Sequence, residues 1–189
     1  MAMAAATIRW TAEMARGLPD DGNRYEVVDG ELLVTPAPTW AHQNAVAELY
    51  VRLRGYLAAN GAGHAMLAPA DIEFGRANLA QPDLFVVPRT NGRAPRTWEE
   101  ARRLLLAVEI LSPSTARADR HVKRRLYQRE RVPEYWVVDV DARLIERWRP
   151  DDGRPEMLAE RIDWRPDHAH PALEIDLGAY FADVHGEPR

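Results

Sequence analysis

Two acidic residues stand where the surrounding sequence is apolar. Glu109 sits inside the run LLLAVEILS, flanked by Val108 and Ile110, and Asp83 opens the run DLFVVP just after Pro82. A carboxylate is costly to bury in such a strand unless it is paired or binds a metal. Two of them at one end of neighbouring strands could converge on Mg²⁺, which is held by one or two carboxylates, a backbone carbonyl and several waters. Lys123 is the third candidate. It is the only lysine, the other 24 basic residues being arginine. A genome rich in Arg codons accounts for the 24, but the exception is notable because an ammonium can give up its proton and a guanidinium cannot. Structural alternatives stand beside each candidate. Glu109 could cap a helix or pair with a buried Arg, and Lys123 could be a solvated lysine on a charged helix.

These residues need strands and a helix to position them. RYEVVDGELLVTP reads as two strands around Asp29-Gly30, a strong hairpin signal. A helix follows from about His42 to Asn60, with Val46, Leu49, Leu53 and Leu57 at helical spacing. Short strands are expected near Met66–Leu67 and Asp71–Phe74, and a short helix near Trp98–Arg103. The run ending at Ser112 is nearly continuous in apolar residues, as in a strand buried on both faces. A second helix is expected over Asp119–Arg131, with Val122 and Leu126 marking its core face and Lys123 and Tyr127 flanking it. EYWVVDV and RLIERWRP read as strands joined near Asp141, MLAERID as one more, and ALEIDLGAYFADV as a strand with a closing helix. The order is mixed α and β, which favours a sheet with a helix on either face.

The 189 residues suit one domain, taken as 7–184 with flexible termini at 1–6 and 185–189. There is no cysteine, which excludes disulfides and thiolate-bound metals and fits a reducing cytoplasm. No apolar run approaches a membrane span, and the first residues lack the pattern of a signal peptide. The net charge of −4 argues against a general nucleic-acid coat but leaves room for a local basic cleft.

Taken in order, RYEVVDGEL, PAPTWAHQ, QPDLFVV, VEILSPST, HVKRRLYQ, VPEYWVVD and ALEIDLGAYF resemble the Uma-two family of restriction endonucleases, within the PD-(D/E)XK nuclease superfamily. The resemblance runs from about Thr7 to Val184. It implies an α/β (α+β) restriction endonuclease-like fold, with a mixed sheet flanked by helices and additional β-hairpins. It also implies an Mg²⁺ site (Mn²⁺ as substitute) from Asp83, Glu109 and the Ile110 backbone carbonyl. Leu111 occupies the place of the superfamily's lysine, and Lys123 is the candidate to replace it from the following helix. Glu26 matches a family position that adds a carboxylate, with a plain hairpin residue as the alternative. His42 matches a position often held by His and could contact a phosphate or cap its helix. Tyr127 could orient Lys123 or serve as a core tyrosine.

The activity implied is metal-dependent hydrolysis of phosphodiester bonds in nucleic acid, DNA by resemblance, with no membrane partner; two nicks in a duplex would suit a homodimer. Two other readings remain open at this point. One is a nuclease fold that has lost catalysis and serves as a binding or regulatory module, which Leu111 and the acidic charge favour. The other is a metal-free interaction protein in which Asp83 and Glu109 are structural. Minor candidates are a stripe of Arg117, Arg120, Arg124, Arg125, Arg129 and Arg131, and the pair His168 and His170, which lacks an evident third ligand.

Overall fold

The computed structural model describes residues 8–98, 100–101 and 103–188; the expected terminus 1–6 lies outside them. After a short helix α1 (Ala12–Arg16), the strands β1 (Arg24–Val28) and β2 (Glu31–Thr35) form the expected hairpin. Its turn places Asp29 at φ 53° and Gly30 at φ 79°, the left-handed pair that a two-residue turn between twisted strands requires. Thr39 caps helix α2 (Trp40–Asn60) by accepting from the His42 N–H. The helix buries Val46, Leu49, Leu53 and Leu57 along one stripe, at roughly 1.5–3 kcal/mol for each full burial.

The next segment supplies β3 (His64–Leu67), β4 (Ile72–Gly75), β5 (Asn78–Ala80) and β6 (Leu84–Val87), of which β5 was not anticipated. The segment Trp98–Arg103 is not a helix in its described residues: it makes turns closed by Glu100 N–H to Thr97 and Ala101 N–H to Trp98, and residues 99 and 102 lie outside the description. Strand β7 (Leu106–Ile110) follows. The second helix opens as a π-helical segment, Ala118–Lys123, and continues as α3 (Arg124–Arg129). Then come β8 (Glu134–Asp139), β9 (Leu144–Trp148), β10 (Glu156–Leu158), β11 (Arg161–Trp164), β12 (Leu173–Asp176) and α4 (Leu177–His185). MLAERID is thus split at Ala159-Glu160 into two strands that join different sheets. The tail is bound further than expected: His185 lies inside α4, and Glu187 pairs with Arg143.

The central sheet has the order β10-β9-β8-β7-β6-β3, with β7 and β8 parallel and its other neighbours antiparallel. Alternation along its strands divides the core by face. Leu84, Val86, Leu106, Val108, Ile110, Trp136 and Val138 pack with α2, α4 and the β11–β12 hairpin. Phe85, Val87, Ala107, Tyr135 and Val137 pack on the other side with α3 and the small sheet β2-β1-β5-β4. Glu109 has the parity of this second face, so its carboxylate is buried between the central sheet, the small sheet and α3. Among the described residues no helix is long and apolar enough to cross a membrane.

Gly63, at the entry to β3, carries a packing constraint. A Cβ there would stand 3.0 Å from both Val86 Cγ1 and the Val87 carbonyl oxygen, and 3.3 Å from Leu57. The carbonyl cannot yield without disturbing the sheet. Gly63→Ala is therefore expected to destabilise the fold by about 1–3 kcal/mol. A thermal melt checks this, and an unchanged midpoint would mean that the backbone relaxes freely at this point.

Candidate active site

The antiparallel register of β6 and β7 pairs Leu84 with Val108. One step further places Asp83 opposite Glu109 on the same face. Both are nearly inaccessible, at 4% and 1% exposure. The two strands are therefore neighbours, and their carboxylates stand at one end of the sheet as the spacing suggested.

Each oxygen of Asp83 has distinct partners. Oδ2 accepts from the Ile110 N–H at 2.9 Å and lies 3.0 Å from His42 Nε2. Oδ1 meets Arg24 Nη1 at 2.7 Å. Burial would raise the Asp83 carboxyl, but the His42 bond and the Arg24 charge outweigh it and hold it well below the usual carboxylate range. In a strand the N–H and C=O of one residue leave on the same edge, so the Ile110 carbonyl also faces the β6 side. His42 is not the cap of its helix, because Thr39 performs that role; the imidazole reaches back onto Asp83 instead.

Lys123 is the hub of the remaining carboxylates. Its ammonium lies 2.8 Å from Glu26 Oε2, 3.0 Å from Glu109 Oε1 and 3.3 Å from Asp119 Oδ1. Only the Glu109 contact has hydrogen-bond geometry; Glu26 Oε2 and Asp119 Oδ1 are buried with no hydrogen-bond donor among the described residues. Tyr127 donates its hydroxyl to Glu109 Oε1 at 3.2 Å. Glu26 accepts from the Gln81 N–H through its other oxygen at 2.7 Å, which ties β1 to the segment before Asp83. The expectation that Val122 and Leu126 define the core face, with Lys123 and Tyr127 flanking it, is corrected here. Asp119, Lys123, Leu126 and Tyr127 are buried and Val122 is only partly so. Asp119, Lys123 and Tyr127, spaced four apart, form the inward row of the helix, which places Lys123 among the buried residues.

Burial alone would pull the Lys123 ammonium down, yet Glu109, Glu26 and Asp119 together push its pKa well above the ordinary lysine value. Burial pushes Glu109 in the other direction: its carboxyl is raised well above 4.5, with Asp83, Asp119 and Glu26 adding to the rise against Lys123. Asp119 is likewise raised by burial. Four carboxyl groups thus face two permanent cations, Lys123 and Arg24, which leaves a surplus of two acidic groups.

This surplus of acidic groups suits a hard divalent cation, whose natural ligands are carboxylate and carbonyl oxygens. No three His, Asp or Glu side chains among the described residues are gathered as a metal cage. A site of two carboxylates and a carbonyl completed by water does not need one.

The structure brings together the six residues singled out from the sequence, Asp83, Glu109, Lys123, Glu26, His42 and Tyr127, in one network joined through Arg24 and Gln81. Sequence reasoning passed over Arg24, although Arg24 is two residues before Glu26 and so shares its strand face. The arginines of the second helix do not form a free stripe. Arg120 pairs with Asp139 and Glu146, Arg124 lies 4.6 Å over the Trp148 ring, and Arg129 and Arg131 pair with Asp29 and Asp151. His170 bonds locally to Asp167 at 2.7 Å.

A family model named Uma2 and described as "Putative restriction endonuclease" matches residues 12–178. No curated protein matches the chain. Among solved structures the chain is similar to one from Anabaena variabilis described as "a putative nuclease belonging to DUF820". The TM-score is 0.70 and the identity 18%, over 92% of this chain and 98% of that one. At that identity the likeness establishes the fold: an α+β architecture of the same kind.

The charge surplus has a measurable sign. A carboxyl whose folded pKa is raised favours the fold fully only below its unfolded value, 4.5 for Glu109, and that contribution is lost as pH rises through the folded pKa. Asp83, whose pKa is lowered, acts oppositely: its contribution is present above 3.8 and lost as pH falls. In chelator, Glu109→Gln is expected to match wild type near about pH 4 and to exceed it near about pH 8. The expected gain is on the order of 1 kcal/mol, the scale of one pKa unit, since Gln still accepts from Lys123 and Tyr127. Melts across this range decide. A variant less stable than wild type near pH 8 would make Glu109 a structural ion-pair partner.

Proposed function

We propose that this chain, which belongs to the Uma2 family of restriction-endonuclease-type proteins, hydrolyses phosphodiester bonds of DNA with the help of a divalent cation. The observation that carries the reading is the placement of Asp83, Glu109 and Lys123 together at the end of two adjacent strands. Asp83, Glu109 and the Ile110 carbonyl would hold Mg²⁺ or Mn²⁺. When bound, the cation supplies positive charge to a phosphoryl oxygen and acidifies a water.

The protein's own groups do the rest. Tyr127 fixes the Glu109 carboxylate through its hydroxyl. His42 and the Ile110 N–H fix Asp83 through one oxygen. Lys123, held protonated by three carboxylates, acts as a donor rather than as a base: it fixes the Glu109 carboxylate and balances charge beside the cation's place. It stands in for the lysine that Leu111 replaces, because its ammonium reaches Glu109 from the helix side. DNA is favoured as substrate by the family's description. A second reading, a nuclease fold without catalysis, draws on Leu111 and on the fact that Asp83 and Glu109 are already paired within the chain.

Two measurements separate them. Calorimetry should find Mn²⁺ binding in wild type that weakens in Glu109→Gln; equal affinity in both would remove Glu109 from the metal site. Mn²⁺-dependent cleavage of labelled DNA should fall by ~100-fold or more in Lys123→Arg, the usual scale for a positioned group. A planar guanidinium cannot replace a compact ammonium among three carboxylates. The larger side chain also costs about 1–3 kcal/mol in so enclosed a place, so folding is checked by circular dichroism, with Lys123→Ala as the smaller alternative. A folded Arg variant that cuts like wild type would make Lys123 a structural cation only, and no cleavage by wild type would favour the binding module.

A further inference from the structure

Arg24 occupies the one oxygen of Asp83 that a metal could use. Oδ2 already serves two donors, the Ile110 N–H at 2.9 Å and His42 Nε2 at 3.0 Å. Oδ1 has Arg24 Nη1 at 2.7 Å. The guanidinium has one further contact, the Gln81 carbonyl at 3.3 Å. It lies at the open side of the cluster, with 20% of its side chain exposed, whereas Lys123 is enclosed at 2%. Arg24 is also the first residue of β1, at the end of the hairpin strand. It cannot leave by losing its proton, because a guanidinium stays charged.

Building on the metal-dependent reading above, we propose that Arg24 is a displaceable counterion. It neutralises Asp83 in the metal-free protein, gives up Oδ1 to the incoming divalent cation, and turns its freed guanidinium to a phosphate of the substrate strand. Three features of the cluster support the exchange. Asp83 stays anchored through Oδ2 when Arg24 departs, so the carboxylate need not reorient. The cluster carries more carboxylates than permanent cations, so an added dication is favoured over the single charge it displaces. The fork of a guanidinium matches a phosphate as well as a carboxylate, so the freed group has a natural acceptor where the substrate must lie. Lys123 cannot perform the same exchange, since it is shared by three carboxylates and shielded from solvent.

The test is Mn²⁺ calorimetry on wild type, Arg24→Gln and Arg24→Lys, with thermal melts to confirm folding. Removing the competitor should tighten Mn²⁺ binding about tenfold in Arg24→Gln, within the range by which groups around a metal site alter its affinity. Arg24→Lys, which keeps a mobile charge, should fall between the two. Fluorescence polarisation of a labelled DNA oligonucleotide in Ca²⁺ should show the reverse order, with Arg24→Gln about tenfold weaker than wild type. Equal or weaker Mn²⁺ binding in folded Arg24→Gln overturns the exchange while leaving the metal site itself intact. Unchanged oligonucleotide affinity overturns the phosphate role. Absence of Mn²⁺ binding from every protein, including Arg24→Gln, overturns both this inference and the metal-dependent reading.

Discussion

The ammonium of Lys123 is the point on which this structure depends. It lies within 3.3 Å of three carboxylates from three separate elements, β1, β7 and the π-helical segment. Two of those carboxylates have an oxygen without a hydrogen-bond donor among the described residues. Buried charges of one sign repel strongly in a medium of low polarisability. The lysine offsets that repulsion where the small sheet, the central sheet and α3 close over Glu26, Glu109 and Asp119. The cluster therefore joins the layers as well as forming the candidate site, and the repulsion among its carboxyls makes it receptive to a further cation.

The scaffold keeps that cluster in place with ordinary means. Residues 106–108 of β7 pair with β6, and the whole strand pairs with β8, so Glu109 cannot slide without disturbing the central sheet. A register slip of one residue would send it to the α2 side, among Leu49, Leu53 and Trp136. Tyr127 and Tyr135 pack with ring centroids 4.8 Å apart, and their hydroxyls take Glu109 and the Asp119 carbonyl as acceptors. The aromatic bodies fill the apolar layer while their polar tips serve the ion cluster.

Two ends of the network differ in mobility of charge. The Lys123 end is closed and its ammonium is held protonated, which fits a fixed donor rather than a proton carrier. The Asp83 end opens to solvent through Arg24. An arrangement with one enclosed cation and one partly exposed cation distinguishes the two basic residue types on physical grounds. A compact ammonium can sit among several carboxylates, and a long planar guanidinium can reach out from one. That difference gives a reason for the lone lysine in a chain otherwise supplied with arginine.

The sequence by itself determined the hairpin at Asp29-Gly30, the long helix with its apolar stripe, the buried strand around Glu109 and the closing strand and helix, because each rests on local periodicity or turn chemistry. It also singled out Asp83 and Glu109, since a carboxylate in an apolar strand is conspicuous without any knowledge of its partners. It failed where the outcome depends on what packs against what. The split of MLAERID follows from which sheet each half joins. The burial of Lys123 follows from the carboxylates that pack around it from other elements, which no apolar spacing reveals, because Asp119 and Lys123 are themselves charged. The placement of His42 and Arg24 on opposite oxygens of Asp83 joins residues 41 and 59 positions apart in the chain. Only the closure of three layers onto one end of the sheet decides such a meeting, since side chains distant in sequence carry no local signal of the partner that will neutralise them.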